Sequence, residues 1–170
     1  ALQSELFGSE KFWSERIPVV VFALPHKGSN AAAWDTAQAL AAQCAADYGW
    51  NVTLLTPDHD WYELKDVDAL LVTTSTYDLK KIRRAKSTLI IIAWLLEPVA
   101  RWTQQPGQSS FDAEDSYEIY LCGSEQDAGI FIEQHRQHRQ AVQIFPPVPL
   151  RRQAARFQAL LMDVCQQRLD

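Results

Sequence analysis

Residues 17–24, Ile-Pro-Val-Val-Val-Phe-Ala-Leu, are an unbroken apolar run, followed at once by Pro25-His26-Lys27-Gly28-Ser29-Asn30 and an alanine-rich segment from Ala31. Apolar residues without alternation mark a strand buried on both faces, the habit of parallel sheets covered by helices. The order predicts strand, tight polar loop and helix, and so an α/β fold. In such sheets ligands bind beyond the carboxyl ends of the strands, where a helix N-terminus offers unused N–H groups and a positive dipole end to an anion. Gly28 permits close backbone approach, Ser29 or Asn30 can cap the helix, and His26 and Lys27 add polar reach. This loop is therefore the first candidate site. The chain carries neither the three spaced glycines of a dinucleotide fingerprint nor a Gly-Lys-Ser/Thr phosphate loop here, so an ordinary capped turn is the competing reading.

The same alternation runs to the end of the chain. Trp34, Ala37, Leu40, Ala41 and Cys44 recur at spacings of three and four and give a helix over residues 31–47 one apolar stripe, which Gly49 ends. Further strands are expected at 51–56, at Ala69-Leu70-Leu71-Val72, at 88–94, at 116–122 and at 141–145. The 88–94 segment is the most apolar and is expected at the centre of the sheet. Ser75 or Thr76 can cap a short helix whose basic end, Lys80, Lys81, Arg83 and Arg84, suits the C-terminal dipole. Glu97-Pro98 is expected to open another helix, residues 104–113 a surface loop, and Ser124 a helix running to about Gln137. Pro146-Pro147-Val148-Pro149 must leave regular structure, and a last helix over 150–169 places Ala154, Phe157, Leu160, Leu161, Val164 and Cys165 on one side. The expected architecture is a three-layer α/β/α Rossmann-like domain with a mostly parallel sheet of about six strands. Residues 1–16 form an amphipathic helix or edge cover, 17–147 the Rossmann-like domain, and 148–170 a helix packing back on it.

Composition narrows the function classes. At 170 residues and 47% hydrophobic content the chain can bury one core, and a net charge of -5 without a long basic stretch argues against nucleic acid or an anionic membrane as partner. No apolar run approaches the roughly 20 residues that span a bilayer, and no basic-then-apolar leader opens the chain, so a cytoplasmic location is expected. Cys44, Cys122 and Cys165 are far apart in apolar or helical contexts and read as buried thiols. His135 and His138 stand three apart on one expected helix and read as a solvated face, so no metal site is expected. With a single methionine, Met162, and a chain that opens on Ala1, a fragment, a processed product or an excised domain is expected.

Asp66-Val67-Asp68-Ala69-Leu70-Leu71-Val72 followed by Ser75-Thr76-Tyr77-Asp78, then Ile92-Ala93-Trp94, Arg101-Trp102, and Tyr117-Glu118-Ile119-Tyr120-Leu121 running into Gly123-Ser124-Glu125, form a familiar order. This order resembles the N-terminal half of a GT-B glycosyltransferase, in particular the group-1-like bacterial enzymes found in multi-domain proteins of surface-polysaccharide biosynthesis. The resemblance covers roughly residues 17–147. It implies an acceptor-side domain that works with a second, donor-binding domain absent from this sequence, and it places a hinge at the proline cluster. The implied reaction transfers a sugar from a nucleotide-activated donor to a glycan or other hydroxyl acceptor, with the nucleotide sugar as co-substrate and no other cofactor. The isolated chain is then expected to be inactive, with self-association possible through the surface left by the missing domain.

On that resemblance the proton of the attacking hydroxyl goes to a carboxylate or imidazole at a strand end. The candidates are His26, Asp58, His59, Asp60, Asp78 and Glu97. Lys27 and the amides of Gly28 and Ser29, with Asn30 beside them, are placed to contact the diphosphate, and Arg101 is a further anion contact. Each has a plainer role: Asp58 and Asp60 suit a turn after Pro57, and Asp78 and Glu97 suit a first helical turn. Trp61, Tyr62 and Trp94 can stack on sugar faces or fill the core. A non-catalytic binding or docking module is the rival class. A receiver or flavodoxin-like domain is disfavoured, because Pro25-His26-Lys27 and Thr73-Thr74 stand where those folds want acidic or phosphate-binding residues.

Overall fold

The computed structural model describes residues 18–26, 28–58, 66–74, 77, 79–86, 88–97, 117–146 and 149–169. Along the chain these form β1 (Val19–Ala23), α1 (Ala31–Tyr48), β2 (Asn51–Leu55), β3 (Ala69–Val72), α2 (Leu79–Ala85), β4 (Ile90–Trp94), β5 (Ile119–Cys122), α3 (Glu125–Gln134), a 3-10 segment (Arg136–Ala141), β6 (Val142–Ile144) and α4 (Leu150–Leu169). The six strands make one sheet in the order β2-β1-β3-β4-β5-β6, with every neighbouring pair parallel. The expected α/β/α architecture and parallel sheet are thus observed, and the most apolar strand, β4, lies in the interior of the sheet.

Alternation within each strand builds two cores. Val21 and Ala23 of β1, Leu70 and Val72 of β3 and Ile91 and Ala93 of β4 pack with Leu79 and Ile82 of α2 and Phe131 of α3. Val20 and Phe22, Ala69 and Leu71, and Ile90 and Ile92 face the other way, against Ala37, Leu40 and Cys44 of α1 and Phe157 and Leu161 of α4. Each Val, Leu, Ile or Phe among them, fully buried, contributes about 1.5–3 kcal/mol. The helices change face where the strand order reverses at β1, as crossovers of a single hand require. The order 2-1-3-4-5 is the flavodoxin-like form of the doubly wound sheet, whose switch point lies between β1 and β3.

Local chemistry sets the element ends. Asn30 caps α1, its Oδ1 accepting from Ala33 N–H at 3.1 Å. Gly49 stops it at φ 69°, donating back to Ala45 O at 3.0 Å. Ser124 caps α3 through Asp127 N–H at 3.2 Å, as expected from the sequence. At the amino edge, one device occurs twice. Asp68 N–H donates to Val19 O while Asp68 Oδ2 accepts from Val19 N–H, both at 2.8 Å. Glu118 N–H donates to Ile91 O at 2.9 Å while Glu118 Oε2 accepts from Ile91 N–H at 2.8 Å. Each carboxylate extends the ladder beyond the strand start.

One sequence expectation needs correction. The helix opened by Ser124 ends at Gln134 and not near Gln137, because His135 leaves helical geometry at φ -135° and ψ 62° and the chain tightens into the 3-10 segment that feeds β6. His135 therefore follows α3, and its ring lies 5.1 Å from that of Phe131. Of the two roles open to Trp94, filling the core is the one observed: it is 2% exposed and packs edge-on against Phe22 and Phe145. Cys44 and Cys122 are buried free thiols, as expected. The expectations for residues 1–16, the Ser75 or Thr76 cap, the helix after Pro98, the loop at 104–113 and the Cys165 and His138 side chains lie outside the described residues. No described helix is long and apolar enough to cross a membrane.

Candidate functional site

The carboxyl end of β1 delivers Leu24 and Pro25 in buried positions and then turns outward at His26. Ser29 N–H closes the turn onto His26 O at 3.1 Å, and Ser29 Oγ donates to the same carbonyl at 2.7 Å. Gly28, at φ 88°, supplies the positive φ of this turn, which a side chain would disfavour. This turn and the Asn30 cap engage the amide of Ser29 and the Asn30 side chain within the protein. The expected anion cradle thus loses two of its groups.

On the neighbouring strand β2 ends and Pro57-Asp58 turns. The parallel pairing Ala23↔Leu55 sets the two exits side by side, and His26 Nδ1 stands 3.4 Å from Asp58 Oδ2. The side chains of the pair are 60% and 81% exposed, which leaves His26 Nε2 open to a ligand. Beside them lies an open cavity of about 730 Å³, lined by His26, Asp58, Trp34, Gln38, Thr56 and the ends of β2. Trp34, in the first turn of α1, donates its indole N–H to Pro25 O at 3.0 Å. Its polar atom is thereby satisfied, and the ring remains as an apolar wall.

The site thus opens beside the β1/β2 exits and not at the β1/β3 switch point. At that switch point Thr73 and Tyr77 occupy the strand ends: Thr73 Oγ1 donates to Ala23 O at 2.9 Å and Tyr77 OH to Leu24 O at 2.5 Å. Both residues are buried, and burial, with the nearby charge of Asp58, holds the Tyr77 phenol above its ordinary range.

Of the residues expected from sequence to bear chemistry, His26 and Asp58 are brought together. Glu97 is buried at the end of β4, about 10 Å or more from β1 at some 4.8 Å per strand, and does not line the cavity. Gly28, Ser29 and Asn30 shape the turn. Lys27, His59, Asp60, Asp78 and Arg101 lie outside the described residues, as do Trp61 and Tyr62. Trp34, Gln38, Thr56 and Tyr77 were not expected as site residues, since Trp34 reads as helix stripe and Tyr77 as part of a helix entry. Among the described residues no group of three or more His, Cys, Asp or Glu side chains gathers as a metal set. Compared with family models, curated proteins and solved structures, the chain matches none.

Proposed function

We propose that this chain is the acceptor-side half of a GT-B-type glycosyltransferase, in which His26, held by Asp58, takes the proton from the attacking acceptor hydroxyl. The observation that supports this reading is the His26–Asp58 contact on the rim of the Trp34-lined cavity. A carboxylate at Nδ1 favours the tautomer whose Nε2 accepts a proton. The 3.4 Å separation is long for a hydrogen bond, and such contacts tighten when a ligand excludes water. A flat indole wall with Gln38 and Thr56 at its border suits a sugar ring, which offers an apolar face and peripheral hydroxyls. The nucleotide sugar belongs to a second domain, so the isolated chain carries no turnover.

The test is a titration of the chain with nucleotide sugars and with glycan acceptors, by calorimetry and ligand-detected NMR. Weak acceptor binding, reduced by about tenfold in His26→Ala and in Asp58→Ala, is the expected result; that loss corresponds to about 1.4 kcal/mol. Tight binding of a nucleotide sugar would overturn the acceptor-side assignment. Silence across both panels would favour a docking module.

A further inference from the structure

Three successive carbonyls at the exit of β1 each accept a side-chain hydrogen bond. Thr73 Oγ1 donates to Ala23 O at 2.9 Å, Tyr77 OH to Leu24 O at 2.5 Å, and Trp34 Nε1 to Pro25 O at 3.0 Å. The grip comes from both layers, because Tyr77 packs in the core shared with α2 and α3 while Trp34 packs against the core shared with α1 and α4. The next residue is His26. Tyr77 also reaches the neighbouring strand, its OH lying 3.4 Å from Leu55 O, the carbonyl that accepts Leu24 N–H at 2.8 Å. Asp58 follows three residues later.

We infer that Tyr77 is the positioning residue of the His26–Asp58 pair: one buried phenol, in contact with the backbone of both strand exits, sets the separation of the loops that carry the imidazole and the carboxylate. The inference rests on the reading of that pair as the functional centre. Its physical basis is that a buried carbonyl stripped of its donor shifts towards another, and catalytic geometry tolerates displacements of only about 0.5 Å. Leu24 O is two residues from His26, so a shift there is transmitted directly to the imidazole. Phenylalanine would fill the same space and leave both carbonyls without the phenol.

Histidine side chains labelled with 15N report the pair without any ligand. In the unaltered chain, Asp58→Asn shifts the His26 ring-nitrogen resonances. In a Tyr77→Phe background that response falls below about half its size, the non-additivity expected of coupled residues. Ile82→Val, a weakening change in the same core, leaves it whole. Tyr77→4-aminophenylalanine, which restores an N–H donor at the same position, also retains it, and serves as the second variant should Tyr77→Phe fold poorly. A full response in Tyr77→Phe overturns the inference, as does an equal loss in Ile82→Val or in the aminophenylalanine variant. No response to Asp58→Asn in the unaltered chain removes the pair itself and the inference with it. An intact, Tyr77-dependent response without acceptor binding removes only the glycosyl-transfer reading.

Discussion

Cys44 and Cys122 hold their thiols in the apolar interior, and burial raises both, Cys44 to about 12 and Cys122 to about 11, with Asp47 and Asp127 adding to the effect. The thiolate is the reactive species, so both should be inert. At pH 8, iodoacetamide should leave the peptides bearing these two cysteines unmodified in folded protein while labelling them fully in urea, read by mass spectrometry. The sign of the pH effect follows from the same shift. A thiol raised in the folded state contributes stability that is complete below its ordinary value of 9.0 and is lost as the pH climbs towards 11 and 12. The melting temperature should therefore fall above pH 9, and fall less steeply in Cys44→Ala; an identical slope would contradict the assignment. Residues of this kind are legible in sequence, because an apolar neighbourhood is a local property. His26 and Asp58 were legible too, His26 as the first polar residue beyond β1 and Asp58 as the acidic residue of the turn after Pro57. Tyr77 was not, since Ser75-Thr76-Tyr77-Asp78 says nothing about a phenol that bonds to Leu24 O, a contact made only once β1 and β3 are neighbours.

At the scale of elements, the acidic residues preceding β3 and β5 show how motif residues can be structural. Asp68 and Glu118 belong to the stretches that carry the family resemblance, yet both carboxylates serve the amino edge, opposite the candidate site. Asp68→Ala leaves the partly buried Val19 N–H without this acceptor and should cost about 1–2 kcal/mol in urea denaturation, whereas Asp68→Asn, which keeps a side-chain oxygen, should cost less than half of that. Equal losses would show that charge, not the hydrogen bond, is what the position supplies. The interior strands β1, β3, β4 and β5 were legible because the sheet is parallel and doubly covered there, so burial on both faces writes itself as a continuous apolar run. The end of α3 was not. Residues 134–138 contain no glycine or proline, and the break at His135 comes from the need to bring Val142 beside Tyr120, a tertiary demand with no local signature.

For the whole molecule, both cores hold aromatic clusters, and the one beneath α4 links the sheet from edge to edge. Beneath α4 the rings of Phe22, Trp50 and Phe145 each lie about 6 Å from Phe157, at 5.9, 5.9 and 6.3 Å, with interplanar angles of 66°, 67° and 67°. Edge-to-face packing of this kind adds to the area term. Phe157 is fully buried and joins the helix that ends the chain to β1, to Trp50 before β2 and to Phe145 after β6, which spans the sheet from one edge to the other. Truncation there removes contacts to three separate segments at once. Phe157→Ala should thus destabilise the fold by about 3–5 kcal/mol. Because both cores share every strand, the loss should appear as one transition, with far-ultraviolet and near-ultraviolet circular dichroism melting together at a lower denaturant concentration and an unchanged slope. Early loss of the near-ultraviolet signal alone would mean that α4 and its aromatic cluster can detach from an otherwise intact sheet, and that the 150–169 helix is an appendage and not part of the fold.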